Sequence, residues 1–443
     1  MQIQLSDHFS YGRLLRFALP SILMTLFTSI YSVVDGLFVS NVVGESAFAS
    51  INLIMPYCMI FSSIGSVFGV GGSALVAKIK GEGDDDKANR IFTLLIYTMF
   101  ILGVILTVVA QLLLPSAARW MGATDELMDN CLIYARIFLI TQAAFLLQYG
   151  LRSLMITAER PKLGLLFTIA AGVSNMILDW LFIAVFHCGV AGAAVASCVG
   201  QCIGGFGPII YFALTKDCPL RLVKTRFMPK ELMKAAGNGA SEGITNVAMS
   251  LVNMVYNFQL MKYIGEYGVS AFGVIMYVNF VFSAVYIGYS MGTAPVFSFH
   301  YGAGEADELK SLFKKSMIIV SIFSVTLTSL AIISARGIAS IFASYDEAFM
   351  LLTTKALRMY AISYFFAGIN IFGANLFAAL NDGLTAGVLS GLRIFVFQLI
   401  AIFVLPLFLG SNGIWLAMFA AECCVLVITI IVLVNGKKRY QYA

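Results

Sequence analysis

Apolar runs of bilayer length recur along this chain, at about 14–40, 47–77, 91–114, 131–156, 164–187, 189–215, 235–261, 269–299, 315–334, 352–380, 384–409 and 411–434. A hydrocarbon core of roughly 30 Å is crossed by about 20 helical residues, and its interior admits only backbone that satisfies its own hydrogen bonds. Twelve such runs, in a chain that is 60% hydrophobic and 12% charged, predict an all-α polytopic membrane protein. The first run follows Arg13 and Arg16 but is too long for the apolar part of a signal peptide and lacks a small-x-small site, so it is read as a retained helix.

The basic residues fall on one side of these spans. Arg13, Arg16, Lys78, Lys80, Lys87, Arg90, Arg160, Lys162, the linker from Lys216 to Lys234, Lys310, Lys314, Lys315 and the terminal Lys437, Lys438 and Arg439 give twenty in one set of loops. The opposite loops hold Arg119, Lys262 and Arg336. Translocation is biased against Lys and Arg, so an even span count with this asymmetry places both termini in the cytoplasm and the chain in a plasma membrane. A net charge of +5 spread this way does not imply nucleic acid.

An internal repeat organises the whole. Gly44–Glu45 falls on Gly265–Glu266, Ile54–Met55 on Ile275–Met276, Gly81 and Gly83 on Gly302 and Gly304, Asp125–Glu126 on Asp346–Glu347, and Gly192 on Gly413, each at a shift of 221; Arg136 falls on Arg358 at 222. The shift covers six spans, an even number, so the halves are parallel and related by a pseudo-two-fold axis along the membrane normal. We expect an N-terminal lobe over 1–215, a basic linker over 216–234 and a C-terminal lobe over 235–443. Two lobes around a central cavity suit alternating access, which a simple channel does not need.

Acidic residues inside the spans are few, and each needs a partner because an Asp at a helix centre costs roughly 2.5–3.5 kcal/mol. Asp35 in span 1, Asp179 in span 5 and Ser197 in span 6 fall six to eight residues from the outer ends, hence about 10 Å below the outer surface; Asn175 lies one turn below Asp179. Two carboxylates at one depth either share a proton or bind a cation, and four oxygen-bearing side chains suit Na⁺ more than H⁺. The plain alternative is structural pairing of Asp35 with Tyr31 or Ser32 and of Asp179 with Asn175. By depth alone Tyr31, Asn52 and Gln148 are candidate cavity residues. Arg393 and Glu422, near neighbours in depth on spans 11 and 12, predict an ion pair, with a cation or substrate contact as the alternative. Glu242 and Arg152, near inner ends, are expected to reach water or to snorkel, and Arg136 and Arg358 to pair with the acids before them.

Enzyme chemistry is not indicated. His8, His187 and His300 sit at span ends, no GxSxG or Walker A run is present, and Asp179 lies in NMILDW. Cys198 and Cys202 share a face, but the eight cysteines read as small hydrophobes with no metal spacing. No cofactor is expected. Abundant Met (20) and Phe (36) would suit a cavity that adapts to bulky organic cations.

These residues resemble the multidrug and toxic compound extrusion (MATE) family over essentially the whole chain. The carriers are LPSILMTLFTSIYSVVDGLFV in span 1, the glycine-acid turns at Gly44–Glu45 and Gly265–Glu266, the GxG loops at Gly81 and Gly302, and NMILD followed by GVAGAAVAS. The resemblance implies a twelve-helix, two-lobe exporter that exchanges organic cations for Na⁺ or H⁺, with Asp35, Asn175, Asp179 and Ser197 as its coupling-cation site; the chain is expected to be a monomer. Two departures stand out: ITAERP replaces the usual run after span 4, and Glu242 lies nearer its helix start than the span 7 acid of some members. The competing reading is export of one endogenous metabolite or a lipid-linked precursor on the same scaffold.

Overall fold

A computed structural model describes residues 3–443 apart from 44, 216 and 344–345, and apart from the side chains of 32–33, 35–41, 45–46, 48, 126, 247, 250 and 343. The first half contains α1 (Tyr11–Val42), α2 (Glu45–Gly81), α3 (Asp85–Trp120), α4 (Asp125–Ile140), α5 (Gln142–Thr157), α6 (Pro161–Asp179), a π-helical turn (Trp180–Val185) and α7 (Gly189–Leu214). The second half repeats the order: α8 (Pro229–Tyr263), α9 (Glu266–Ala303), α10 (Ala306–Ala343), α11 (Glu347–Ala361), α12 (Tyr364–Ala379), α13 (Gly383–Gly391), a π-helical turn (Leu392–Val396), α14 (Phe397–Leu409) and α15 (Ser411–Tyr440).

Among the described residues, counting bent and π-interrupted helices as single spans gives twelve, six in each lobe, and eleven of these are long and apolar enough to cross a membrane. The twelfth, α8, carries Asn238, Ser241, Glu242, Thr245, Asn253, Asn257 and Gln259, of which Asn238, Ser241 and Gln259 are buried against protein. The fourth span of each lobe bends, by 60° between α4 and α5 and by 45° between α11 and α12. No proline sits at either break. At the first, Thr141 Oγ1 donates to Gln201 Oε1 of α7 at 2.5 Å and its N–H turns to Phe138 O and Leu139 O, so the regular ladder is interrupted where a side chain is anchored to another helix.

The lobes meet along the half of the molecule that carries the basic loops. Glycine makes the approach possible: a Cβ on Gly71 of α2 would lie 1.9 Å from Ala235 O of α8, and one on Gly239 of α8 the same distance from Val67 O. Toward the helix ends, Gly81 faces Phe299 O and Gly302 faces Lys78 O with equal closeness. Between α1 and α9, Thr25 Oγ1 donates to Ala284 O at 2.7 Å, and Ser29 Oγ to Phe280 O at 3.3 Å. Dispersion and backbone proximity, which dominate helix association in lipid, therefore close this end.

The chain before α1 covers the same end. Leu5 and Phe9 are fully buried. Leu5 N–H donates to Glu159, which also receives Lys80, while Phe9 N–H and His8 Nδ1 reach the two oxygens of Glu308 at 2.9 and 2.5 Å, and Lys315 donates to Phe9 O. The segment is thus held by both lobes.

Candidate functional site

The site on the first lobe is built where α6 passes α7. Both helices are small on their facing sides: a Cβ on Gly200 would lie 2.9 Å from Ala171 O, so the backbones run close enough for short polar side chains to meet. Asn175, Asp179 and Ser197 all project into this seam, at 1%, 1% and 8% exposure. With its amide oriented to satisfy both neighbours, Asn175 donates to Asp179 Oδ2 at 3.2 Å and accepts from Ser197 N–H at 3.1 Å; Ser197 Oγ lies 3.4 Å from the amide. One carboxylate, one amide and one hydroxyl are therefore gathered, desolvated, at one depth.

Span 1 approaches the same seam. A Cβ on Gly172 of α6 would meet the Phe27 ring at 2.6 Å and Tyr31 at 3.5 Å, and those two rings stack at 6.4 Å. Helix α1 continues through position 35 one turn farther on, level with the turn of α6 that holds Asn175. The side chain of Asp35 itself lies outside the described residues. Among the described residues no three or more His, Cys, Asp or Glu side chains form a metal-ligating cluster.

The remaining candidates separate. Tyr31 packs toward the seam through Gly172. Asn52 is exposed on α2. Gln148 of α5 lies against Gly204 of α7 with its Oε1 buried and unbonded, about two turns nearer the basic-loop end than Ser197. Arg393 and Glu422 form an ion pair, Nε to Oε1 at 2.8 Å, and Asn370 donates to the other carboxylate oxygen at 2.6 Å. Glu422 is fully buried and the Arg393 side chain is 15% exposed.

Two expectations need correction. Arg152 does not snorkel: its Nε is buried without a hydrogen-bond partner, it lies over the Tyr149 ring at 5.9 Å, and it is within electrostatic reach of Glu242 across the lobe interface. Its burial depends on tertiary packing, which hydropathy alone does not reveal. Arg136 and Arg358 form no ion pairs among the described residues; Asp346 instead caps α11 through Ala348 and Phe349 N–H groups and accepts from Tyr267. Hydrogen bonds from Tyr267 and then the cap hold the Asp346 carboxyl below the usual range.

A twelve-helix, two-lobe bundle built on an internal repeat is the architecture of a membrane transporter, not of an enzyme. The MatE family model matches residues 20–181 and again 243–404, once per lobe, and the chain belongs to that family. The multidrug export protein MepA of Staphylococcus haemolyticus is 22% identical over 419 residues, covering 94% of this chain and 91% of that protein. MepA of Staphylococcus aureus is 22% identical over 424 residues, covering 95% and 93%. The fold is similar to a MATE crystal structure in complex with MaL6, at a TM-score of 0.91, 19% identity and coverage of 98% and 97%. It is equally similar to an outward-facing multidrug resistance MATE transporter of the MOP superfamily, at 0.91, 20% identity and coverage of 98% and 96%.

Proposed function

We propose that this protein exports bulky organic cations across the plasma membrane in exchange for an incoming cation, Na⁺ in preference to H⁺, bound by Asp35, Asn175, Asp179 and Ser197. The observation that carries the reading is the desolvated Asn175–Asp179–Ser197 seam, which gathers a carboxylate, an amide and a hydroxyl at one depth. A carboxylate buried there is far more stable with a cation or proton than without one. Hard oxygen donors suit Na⁺, and a hydroxyl and an amide beyond the carboxylate exceed what a proton requires. The multidrug export names of the similar staphylococcal proteins support a broad substrate range.

Coupling follows from geometry. The lobes are sealed at the basic-loop end, which we assign to the cytoplasm with both termini. Occupation of the seam draws α1 toward α6 and α7 and alters the face α1 presents to α9, along which the seal is made. We take 1–215 and 235–443 as the moving lobes, 216–234 as their linker, and the chain as a monomer. The test is efflux from vesicles with Na⁺ and pH gradients imposed separately: Na⁺-driven efflux that is lost in Asp179→Asn supports the proposal, and efflux that ignores both gradients refutes it.

A further inference from the structure

The two lobes share a fold but treat charge differently, and the difference is readable residue by residue. Spans 1 and 7 end together, Val42 on Tyr263, at a shift of 221. Spans 6 and 12 start from Gly189 and Gly410, both left-handed at φ +56° and +57°, again 221 apart. Spans 5 and 11 follow Glu159 and Asn381, left-handed at +60° and +59° and 222 apart; the π-helical turn at Leu392–Val396 then adds one residue, so the shift beyond it is 223. One contact confirms the alignment: Gln398 touches Met418 where Asn175 meets Ser197.

On these shifts Asp35 corresponds to Tyr256, Asn175 to Gln398, Asp179 to Ile402 and Ser197 to Met418 (35 + 221, 175 + 223, 179 + 223, 197 + 221). Both acids are gone from that layer of the second lobe. One turn nearer the basic-loop end stands Glu422, whose counterpart in the first lobe is the neutral Gln201 (201 + 221). Glu422 is fully buried in mid-membrane, and its two oxygens are taken by Arg393 and Asn370. Asn370 Oδ1 and Tyr256 OH, 1% and 2% exposed as residues, are buried without hydrogen-bond partners, and Tyr256 and Tyr360 lie within electrostatic reach of Glu422.

We propose that Glu422 and Asn370 form a second cation pocket that the chain fills with its own Arg393 guanidinium, so that only the first lobe exchanges coupling ions. A carboxylate in hydrocarbon surroundings needs a positive partner. In the first lobe that partner arrives from solution; in the second it is covalently attached. Arg393 satisfies Glu422 through Nε alone, and among the described residues its two Nη groups form no hydrogen bonds, so the side chain fills the pocket as a counter-charge more than as a fork-to-fork clamp. Truncating it would leave a cavity shaped for a planar organic cation of the guanidinium type, with Glu422, Asn370 Oδ1 and Tyr256 OH as oxygen donors. The second part of the proposal, a single exchanging site, rests on the function assigned above to the first lobe.

The test uses the purified full chain in detergent without Na⁺. Arg393→Ala is expected to melt below the parent protein, and millimolar methylguanidinium, but not tetraethylammonium at equal ionic strength, should raise its Tm in a saturable way. The parent and the double variant Arg393→Ala/Glu422→Gln should not respond, and the double variant should recover part of the lost Tm because both charges leave together. Equal responses of all three proteins, or a double variant no more stable than the single one, would overturn the pocket. If Arg393→Ala does not fold, Arg393→Ala/Glu422→Gln must still fold and be insensitive to methylguanidinium; its failure overturns the pocket as well. None of these readouts passes through Asp35 or Asp179, so failure of the coupling site would show in Asp179→Asn transport and leave these Tm shifts intact. For the single exchanging site, Asp179→Asn should abolish all Na⁺-induced stabilisation of the parent; residual saturable stabilisation would contradict it.

Discussion

The Thr25 hydroxyl of α1 donates to the Ala284 carbonyl of α9 at 2.7 Å, a bond that joins the first span of one lobe to the second span of the other. It lies in a seam where glycine removes every side-chain obstacle: Gly288 of α9 faces Thr25 and Ile22, and Gly292 faces Ala18 and Ser21. The lobes are therefore held by backbone proximity over half the membrane. Such a contact has two discrete states, packed or parted, which is the property a rocking mechanism requires.

The seal should be sensitive to a single methyl group. A Cβ on Gly71 would stand 1.9 Å from Ala235 O. Overpacking costs about 1–3 kcal/mol, so Gly71→Ala should lower the ratio of closed to open molecules at the basic-loop end roughly 5- to 150-fold. Spin labels placed across α2 and α8 should report a longer distance, with efflux falling in parallel; an unchanged distance distribution would show that the seal is made elsewhere.

The segment before α1 should reinforce this closed state. Phe9 is fully buried, edge-on to Phe17 at 5.9 Å and to His300 at 6.3 Å, and its backbone is held by Glu308 and Lys315 of the other lobe. Removing a buried Phe side chain costs about 3–5 kcal/mol in a core. Phe9→Ala should lower Tm and increase cysteine labelling at inner-end positions of α9. Wild-type labelling with a lowered Tm would make the segment a stability element with no part in the lobe equilibrium.

Asp382 gives the basic-loop end a pH limit. Burial tends to raise its carboxyl, but hydrogen bonds from Thr385 and Tyr440 (2.5 Å) and the charge of Arg439 outweigh it, so its folded pKa lies below the usual range. A depressed acid contributes stability above its unfolded value of about 3.9 that is lost as pH falls through the lower folded value. Hydrogen-exchange protection at the start of α13 should thus persist below about pH 3.9, and Tyr440→Phe should move its loss upward toward that value. Identical profiles for the two proteins would remove Tyr440 from the cause.

Much of the architecture is legible in the sequence because membranes impose coarse rules. The glycine-acid turns at Gly44–Glu45 and Gly265–Glu266 mark the repeat, and helices α2 and α9 begin at Glu45 and Glu266. Depth counting from span ends brings Asn175, Asp179 and Ser197 together, and likewise Arg393 and Glu422, because a straight helix rises uniformly. Counting fails where helices are not straight. At the break Thr141 is bonded to Gln201 of another helix, and Arg152 beyond it is buried, and neither contact has a local signal. The π-helical turns likewise shift the repeat by a residue, which hides the match between Gln398 and Asn175. Burial of Leu5 and Phe9 also escapes, since a short polar-flanked segment has no periodicity to read.

Within the seam, Ser197→Ala should weaken but not abolish cation dependence, since it removes one neutral ligand while Asn175 and Asp179 remain. A hydrogen-bonding group of this kind is worth about 0.5–1.5 kcal/mol, so the Na⁺ concentration for half-maximal efflux should rise about 2- to 10-fold. Unchanged Na⁺ dependence would place Ser197 outside the ligand set.

The most direct measurement is efflux of a fluorescent organic cation from vesicles carrying an inward-favouring Na⁺ gradient at equal pH on both sides. The wild-type chain should drive efflux, while Asp35→Asn and Asp179→Asn, inserted at comparable levels, should not. Efflux by both variants at the wild-type rate would contradict the account.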